Sequence, residues 1–179
     1  MQKVMGESCE PAPLGDKWYG GYEDSLFEQR MLDVIESHNP AEPLFLFWAP
    51  HAVHTPYEAP RSFMERFDFI AETEVGDTYP TADRQRYAAM TSFIDTAVGN
   101  VTDALRAAGM WDDLLILSTA DNGGPVYRGN GWSSPIEFVG TGHMGGNNFP
   151  LKGGKLTNWE GCVIARANIL SAMTSPPDD

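Results

Sequence analysis

The stretch Leu115-Ile-Leu-Ser-Thr-Ala-Asp-Asn-Gly-Gly-Pro125 runs apolar and then stops on an acid, an amide and two glycines. Leu114–Leu117 has the length and composition of a buried strand. In open α/β sheets, ligands lie beyond the carboxyl ends of the strands, so Asp121 and Asn122 stand where a ligand is met. Both side chains are hard oxygen donors, which suit Ca²⁺ or Mg²⁺ far better than zinc. Asp-Asn-Gly-Gly is also a good turn sequence, because Asn and Gly tolerate positive φ. On the residues alone both readings stand. Two side chains are too few for a calcium shell, so a metal there needs ligands from elsewhere.

Outward from this strand, Tyr87, Met90, Ile94, Ala97, Val98, Val101, Ala104, Leu105 and Ala108 trace one face of a long helix. Gly109 is placed to end it as a left-handed C′ residue. Leu44-Phe-Leu-Phe-Trp-Ala49 is a continuous apolar run, which predicts a strand buried on both faces. The segment His51-Ala-Val-His-Thr-Pro56 follows it and puts His51 and His54 at a second strand end. Ser25-Leu-Phe-Glu28 fits a capping box, and the helix it opens should stop near His38-Asn39-Pro40, where proline forbids continuation. Cys162–Ala167 is a candidate third strand. Residues 1–21, 71–82 and the glycine-rich 123–148 read as loop. Helices between wholly apolar strands argue for α/β layering with a largely parallel sheet.

At 179 residues the chain has room for one ordinary domain, and 42% hydrophobic residues are enough for a packed core. A net charge of −13 argues against a nucleic-acid partner, since phosphate contacts need clustered Lys and Arg. The charge is uneven: Asn147–Arg166 carries Lys152, Lys155 and Arg166 against Glu160 alone. No apolar run approaches a membrane span, and MQKVMGESCEPAP has no secretory core. Cys9 and Cys162 have neither a disulfide-framework nor a zinc-ligand spacing, and their redox state is open. The Asn100-Val-Thr102 sequon falls inside the predicted long helix and is read as structural.

Three blocks, PLFLFWAPHAVHTPYEAP, YAAMTSFIDTAVGNVTDALRAAGMWDDLLILSTADNGGP and NNFPLKGGKLTNWEG, occur in this order and cover most of residues 22–165. Together they resemble a type I sulfatase of the arylsulfatase B-like group. The resemblance implies an alkaline-phosphatase-like α/β fold, with a mostly parallel or mixed sheet flanked by helices, and hydrolysis of sulfate esters. It implies that Asp121 and Asn122 are calcium ligands, holding one divalent cation. It further implies that His54, in VHTP, contacts the sulfate and its leaving group, and that Lys155 binds a sulfate oxygen. Lys152 stands where relatives often have Arg and is read as support. His51 replaces the usual neutral residue, and neither it nor His143 receives a role. A cation, a lysine and a histidine around a sulfate ester would stabilise charge that builds on its oxygens.

Sulfatases of this kind use a formylglycine made within a Cys/Ser-x-Pro/Ala-x-Arg motif. Here Cys9-Glu-Pro-Ala-Pro13 matches at Cys and Pro, but Pro13 stands where Arg is required. It also lies too close to the VHTP block. The expectation is therefore a partial catalytic domain over residues 22–179, inactive alone. A sulfated small molecule or carbohydrate is the expected substrate. The oligomeric state is open, and a secreted, periplasmic or lysosomal location follows from relatives only. A phosphatase or phosphodiesterase of the same superfamily, or a catalytically dead anion-binding relative, is the alternative.

Overall fold

The computed structural model describes residues 21–71, 81–125, 145–155, 157–163 and 167–171. It divides into two compact units. The first comprises Met1–Ala52, Ile94–Leu114 and Ala172–Asp179, and the second Val53–Phe93 and Leu115–Ser171.

In the first unit, α1 spans Glu23–Ser37. Its N-cap is Tyr22, whose side chain makes no capping bond, so the Ser25 capping box is not formed. The helix opens earlier than the Ser-x-x-Glu pattern suggested, and the Ser25 N–H bonds the Tyr22 carbonyl at 3.0 Å. Beginning at Glu23 puts Asp24 in the first turn, where a carboxylate meets the positive end of the helix dipole. Asp24 is buried and accepts the backbone N–H groups of His51 at 2.9 Å and Ala52 at 3.0 Å. The helix ends at His38, ahead of Pro40, as proline requires.

The run Leu44–Ala49 departs from expectation. It belongs to no ladder among the described residues. Leu44, Leu46 and Trp48 are half-buried, whereas Phe45 is 88% and Phe47 76% exposed. The alternation is that of an extended chain with period two, but only one face is covered.

The long helix α4 spans Thr81–Ala107, with Ile94–Ala107 in the first unit and Thr81–Phe93 in the second. Ala97, Val101 and Leu105 recur every four residues and are buried. Gly109 has φ +70°. Its N–H bonds Arg106 O at 3.0 Å, while Met110 N–H bonds Leu105 O at 3.0 Å. This is a Schellman close, which satisfies carbonyls the helix would leave orphaned. Val98, assigned to the core face, is 43% exposed instead.

In the second unit, α4 buries Ala89, Met90 and Phe93. Phe93 meets Phe63 edge-on with centroids 5.3 Å apart. Phe63 lies on α2, Arg61–Met64, which continues through a 3₁₀ turn, Glu65–Phe67, into α3, Asp68–Ala71. Buried Gln85 donates to Met64 O at 3.2 Å and to Asp68 Oδ1 at 2.9 Å, pinning these turns to α4.

Strand β1 is Leu115–Thr119, and β2 is Ala167–Ser171. They pair antiparallel, with Leu117 opposite Ile169. This is the sheet among the described residues. β1 was expected to be buried, yet Leu115 is 64% and Leu117 63% exposed. The third strand also lies later than expected: Glu160–Val163 forms a short helix, α5, and β2 follows. No described helix is long and apolar enough to cross a membrane.

Removing the Asp24 carboxylate leaves two backbone donors without their acceptor. Asp24→Ala should therefore lower stability by about 2–4 kcal/mol, since bonds to charged groups contribute roughly 1.5–3 kcal/mol each and are not additive. Urea unfolding followed by circular dichroism measures this, and a loss below about 0.5 kcal/mol would show that Asp24 anchors nothing.

Candidate metal and oxyanion site

All the candidate site residues belong to the second unit. β1 ends at Thr119, and Asp121 is exposed just beyond it, with Asn122 half-buried. Among the described residues, no hydrogen bond or ion pair engages either side chain. No described residue takes up their oxygens, and carboxylate plus amide is the donor chemistry of a hard divalent ion. No group of three or more His, Cys, Asp or Glu converges among the described residues. These residues therefore fit part of a metal shell.

Glycine explains how the turn meets the lysine loop. A Cβ on Gly123 would stand 1.5 Å from the carbonyl oxygen of Gly161. A Cβ on Gly161 would stand 2.1 Å from the oxygen of Gly153. Three backbone segments stack there with no room for a side chain, and hydrogen bonds join them. Gly123 N–H donates to Cys162 O at 3.2 Å, and Gly161 N–H to Lys152 O at 2.8 Å.

Asn148 completes the junction. Its Oδ1 accepts the Gly124 N–H at 3.0 Å, and its Nδ2 donates to Gly124 O at 2.8 Å and to Gly153 O at 3.1 Å. Lys155 N–H donates to the same Gly124 carbonyl at 3.1 Å. Thr157 Oγ1 bonds Gly154 on both its N–H, at 3.2 Å, and its carbonyl, at 2.7 Å. Lys155 is half-buried, and its ammonium makes no ion pair among the described residues. Lys152 is engaged differently: its Nζ lies 3.7 Å from the centroid of the Trp159 ring.

His54 is exposed on the loop after Val53, with Nδ1 3.0 Å from Thr55 O. No hydrogen bond joins it to Asp121, Asn122 or Lys155 among the described residues. Its loop reaches the turn through aromatic packing instead. Tyr57 meets Tyr87 of α4 edge-on at 5.9 Å. Tyr87 packs against Gly145, where a Cβ would fall 2.5 Å from the Tyr87 Cβ. Its hydroxyl lies 3.5 Å from the point a Gly124 Cβ would occupy. Gly146 N–H then bonds Pro125 O at 3.2 Å, and Arg84 donates to Gly145 O. Burial pushes the Tyr57 phenol up to about 12, with Tyr87 and Asp83 adding to it and a hydrogen bond with the Gly145 backbone opposing. Burial also raises Tyr87, against the pull of the Arg84 guanidinium.

The structure thus joins the Asp121–Asn122 turn to the Lys155 loop by direct hydrogen bonds, and the His54 loop to that turn through Tyr57, Tyr87 and Gly145. His51 belongs to the first unit, where its Nδ1 pairs with Glu23 Oε2 at 2.8 Å and its ring meets Phe27 edge-on at 5.4 Å. Cys162 is a free thiol. Cys9 and His143 lie outside the described residues. Sequence reading overlooked Asn148, although an amide in a glycine-rich segment is a good partner for loop backbone. It also assigned Tyr87 to the core alone.

A family model described as Sulfatase matches residues 2–162. The chain is 35% identical to mouse arylsulfatase J over 146 residues, which is 82% of this chain and 20% of that protein. It is 29% identical to mouse N-acetylgalactosamine-6-sulfatase over 160 residues, covering 89% of this chain and 26% of that protein. The chain therefore spans about a fifth to a quarter of these relatives. Among solved structures, Ps i-CgsB in complex with k-i-k-neocarrahexaose superposes with a TM-score of 0.60 at 27% identity, over 83% of this chain and 27% of that one.

Two outcomes follow from this geometry. Gly123→Ala drives a methyl group into the Gly161 carbonyl, and should cost more than about 2 kcal/mol in urea unfolding; a neutral result would mean the junction is not formed. Tyr57 should ionise well above ordinary tyrosines, so its contribution to stability is complete below about pH 10 and is lost as pH rises towards about 12. Phenolate absorbance against pH, compared between the parent and Tyr57→Phe, should show a late transition that is larger in the parent by one phenol, since Tyr87 is raised as well.

Proposed function

Because this chain belongs to the sulfatase family, we infer that it contributes the cation ligands and anion-binding groups for hydrolysis of a sulfate ester. Asp121 and Asn122 are the cation ligands, and calcium is the ion their hard oxygens suit. A bound cation would supply electrostatic stabilisation of charge on the sulfate oxygens. Lys155 does the same from the protein side, as an ammonium on the loop whose backbone N–H bonds Gly124 O. His54 is read as a hydrogen-bond partner of the sulfate or of the leaving oxygen, brought by the loop that Tyr57 holds.

The observation that supports this reading best is the hydrogen bond from Lys155 N–H to Gly124 O, together with the Asn148 bridge. Segments some thirty residues apart are fixed side by side, one offering anionic and amide oxygens and the other an ammonium, none of them engaged among the described residues. That pairing suits an oxyanion held against a cation. A turn with no ligand would not call for it. The substrate is read as a sulfated small molecule or a sulfated carbohydrate, the second favoured by the sugar-directed names among the relatives. Cys9-Glu-Pro-Ala-Pro13 does not match the formylglycine motif at its arginine, since Pro13 occupies that place. No chemical step is assigned to Cys9.

Calorimetric titration should find calcium binding with Kd on the order of 10⁻⁴–10⁻³ M, as for sites with few charged ligands. Asp121→Ala should weaken it about tenfold or more. Lys155→Ala should weaken sulfate binding while leaving calcium affinity within about twofold, since it is not a ligand. Calcium binding indifferent to Asp121 would overturn the assignment. Turnover of aryl sulfate by the 179-residue chain is expected to be absent, and measurable hydrolysis would place a nucleophile within it.

A further inference from the structure

We propose that Asn148 is the positioning residue that couples the cation ligands to the anion-binding lysine, an inference that rests on the reading of Asp121, Asn122 and Lys155 given above. An asparagine amide has two donor hydrogens and an acceptor oxygen with two lone pairs. Asn148 uses both donors and the acceptor on backbone groups of two different segments. Gly124 is held on both sides, because its N–H and its carbonyl belong to successive peptide planes and the same side chain grips each. Neither plane can rotate without breaking a bond. Asp121 and Asn122 lie on the chain just before the first of these planes.

The second half of the grip is on the lysine loop. Nδ2 also holds the carbonyl of Gly153, two residues before Lys155. The Gly124 carbonyl takes the Lys155 N–H as well, so its two lone pairs are divided between Asn148 and the lysine backbone. Asn148 is half-buried, which limits competition from water. Rotation of its amide would therefore move the ligand turn and the lysine loop together. A sulfate held by both a cation and Lys155 would sense that shared frame as coupling: calcium would tighten sulfate binding, and sulfate would tighten calcium binding by the same factor.

A residue that merely stabilised the turn would lower the melting temperature and leave this coupling factor intact. The test measures sulfate affinity by calorimetry with and without saturating calcium, on the complete 179-residue chain. The parent should show tightening of about tenfold, within the usual range for coupled sites. In Asn148→Ala the factor should fall below about twofold, with calcium binding alone retained. Asn148→Asp keeps the acceptor for Gly124 N–H but has no donor for either carbonyl, and should also uncouple. If either folded variant keeps the parental factor, the proposal is wrong. If the parent binds sulfate with no calcium dependence and no sensitivity to Lys155→Ala, the site assignment itself falls, and the role of Asn148 with it. Should both variants fail to fold, amide exchange in the parent decides: calcium should slow exchange at Gly124 and Lys155 together, and protection at Gly124 alone refutes the coupling.

Discussion

Everything in the candidate site depends on backbones meeting where no side chain fits. Gly123, Gly161 and Gly153 approach so closely that a Cβ on the first two would enter a neighbouring carbonyl. Each glycine carries an entropic cost of roughly 0.5–1 kcal/mol relative to alanine in ordered structure. Buried backbone hydrogen bonds, at about 1 kcal/mol net each, offset that cost. The return is geometric. With no bulk between them, the Asp121–Asn122 turn and the Lys155 loop share one hydrogen-bonded frame. Gly153, at φ +80°, turns the loop in a conformation that side chains resist.

The electrostatics follow from which charges remain unspent. The chain carries a net −13, yet its locally basic segment lies beside the turn. Lys152 is occupied by the face of Trp159, where an ammonium gains from the ring quadrupole. His51 is occupied by Glu23 and Phe27. Asp121 and Lys155 make no such pairing among the described residues. The loops that carry them are joined by the Lys155 N–H bond to Gly124 O, so a carboxylate and an ammonium left out of ion pairs among the described residues sit on one hydrogen-bonded frame.

The two long helices were legible in sequence, whereas the short α2, α3 and α5 were not. Proline at 40 and glycine at 109 stopped α1 and α4 where their backbone chemistry dictates. The capping box was misleading because Ser-x-x-Glu describes a local option, and Asp24 had a stronger use. Buried in the first turn, it binds the backbone at His51 and Ala52, a contact from far along the chain. The strands show a different limit. An apolar run tells which residues are extended and which faces could be buried, but not what covers them. Phe45 and Phe47 alternate with Leu46 and Trp48 as a strand should, and still face outward. In the same way, β1 was located to within two residues, while its antiparallel partner β2 fell beyond the predicted segment.

By itself the sequence determined the two long helices, α1 and α4, the donor chemistry at Asp121 and Asn122 and the family of the chain. Those properties reside in periodicity, in side-chain type and in ordered motifs, which need no knowledge of distant contacts. Tertiary structure alone decided that Asn148 grips Gly124 and Gly153, that Tyr87 links the His54 loop to the turn, and that Lys152 is taken up by Trp159. These depend on distances between residues far apart in the chain, set by how closely glycine lets the backbone pack, and no local pattern encodes them.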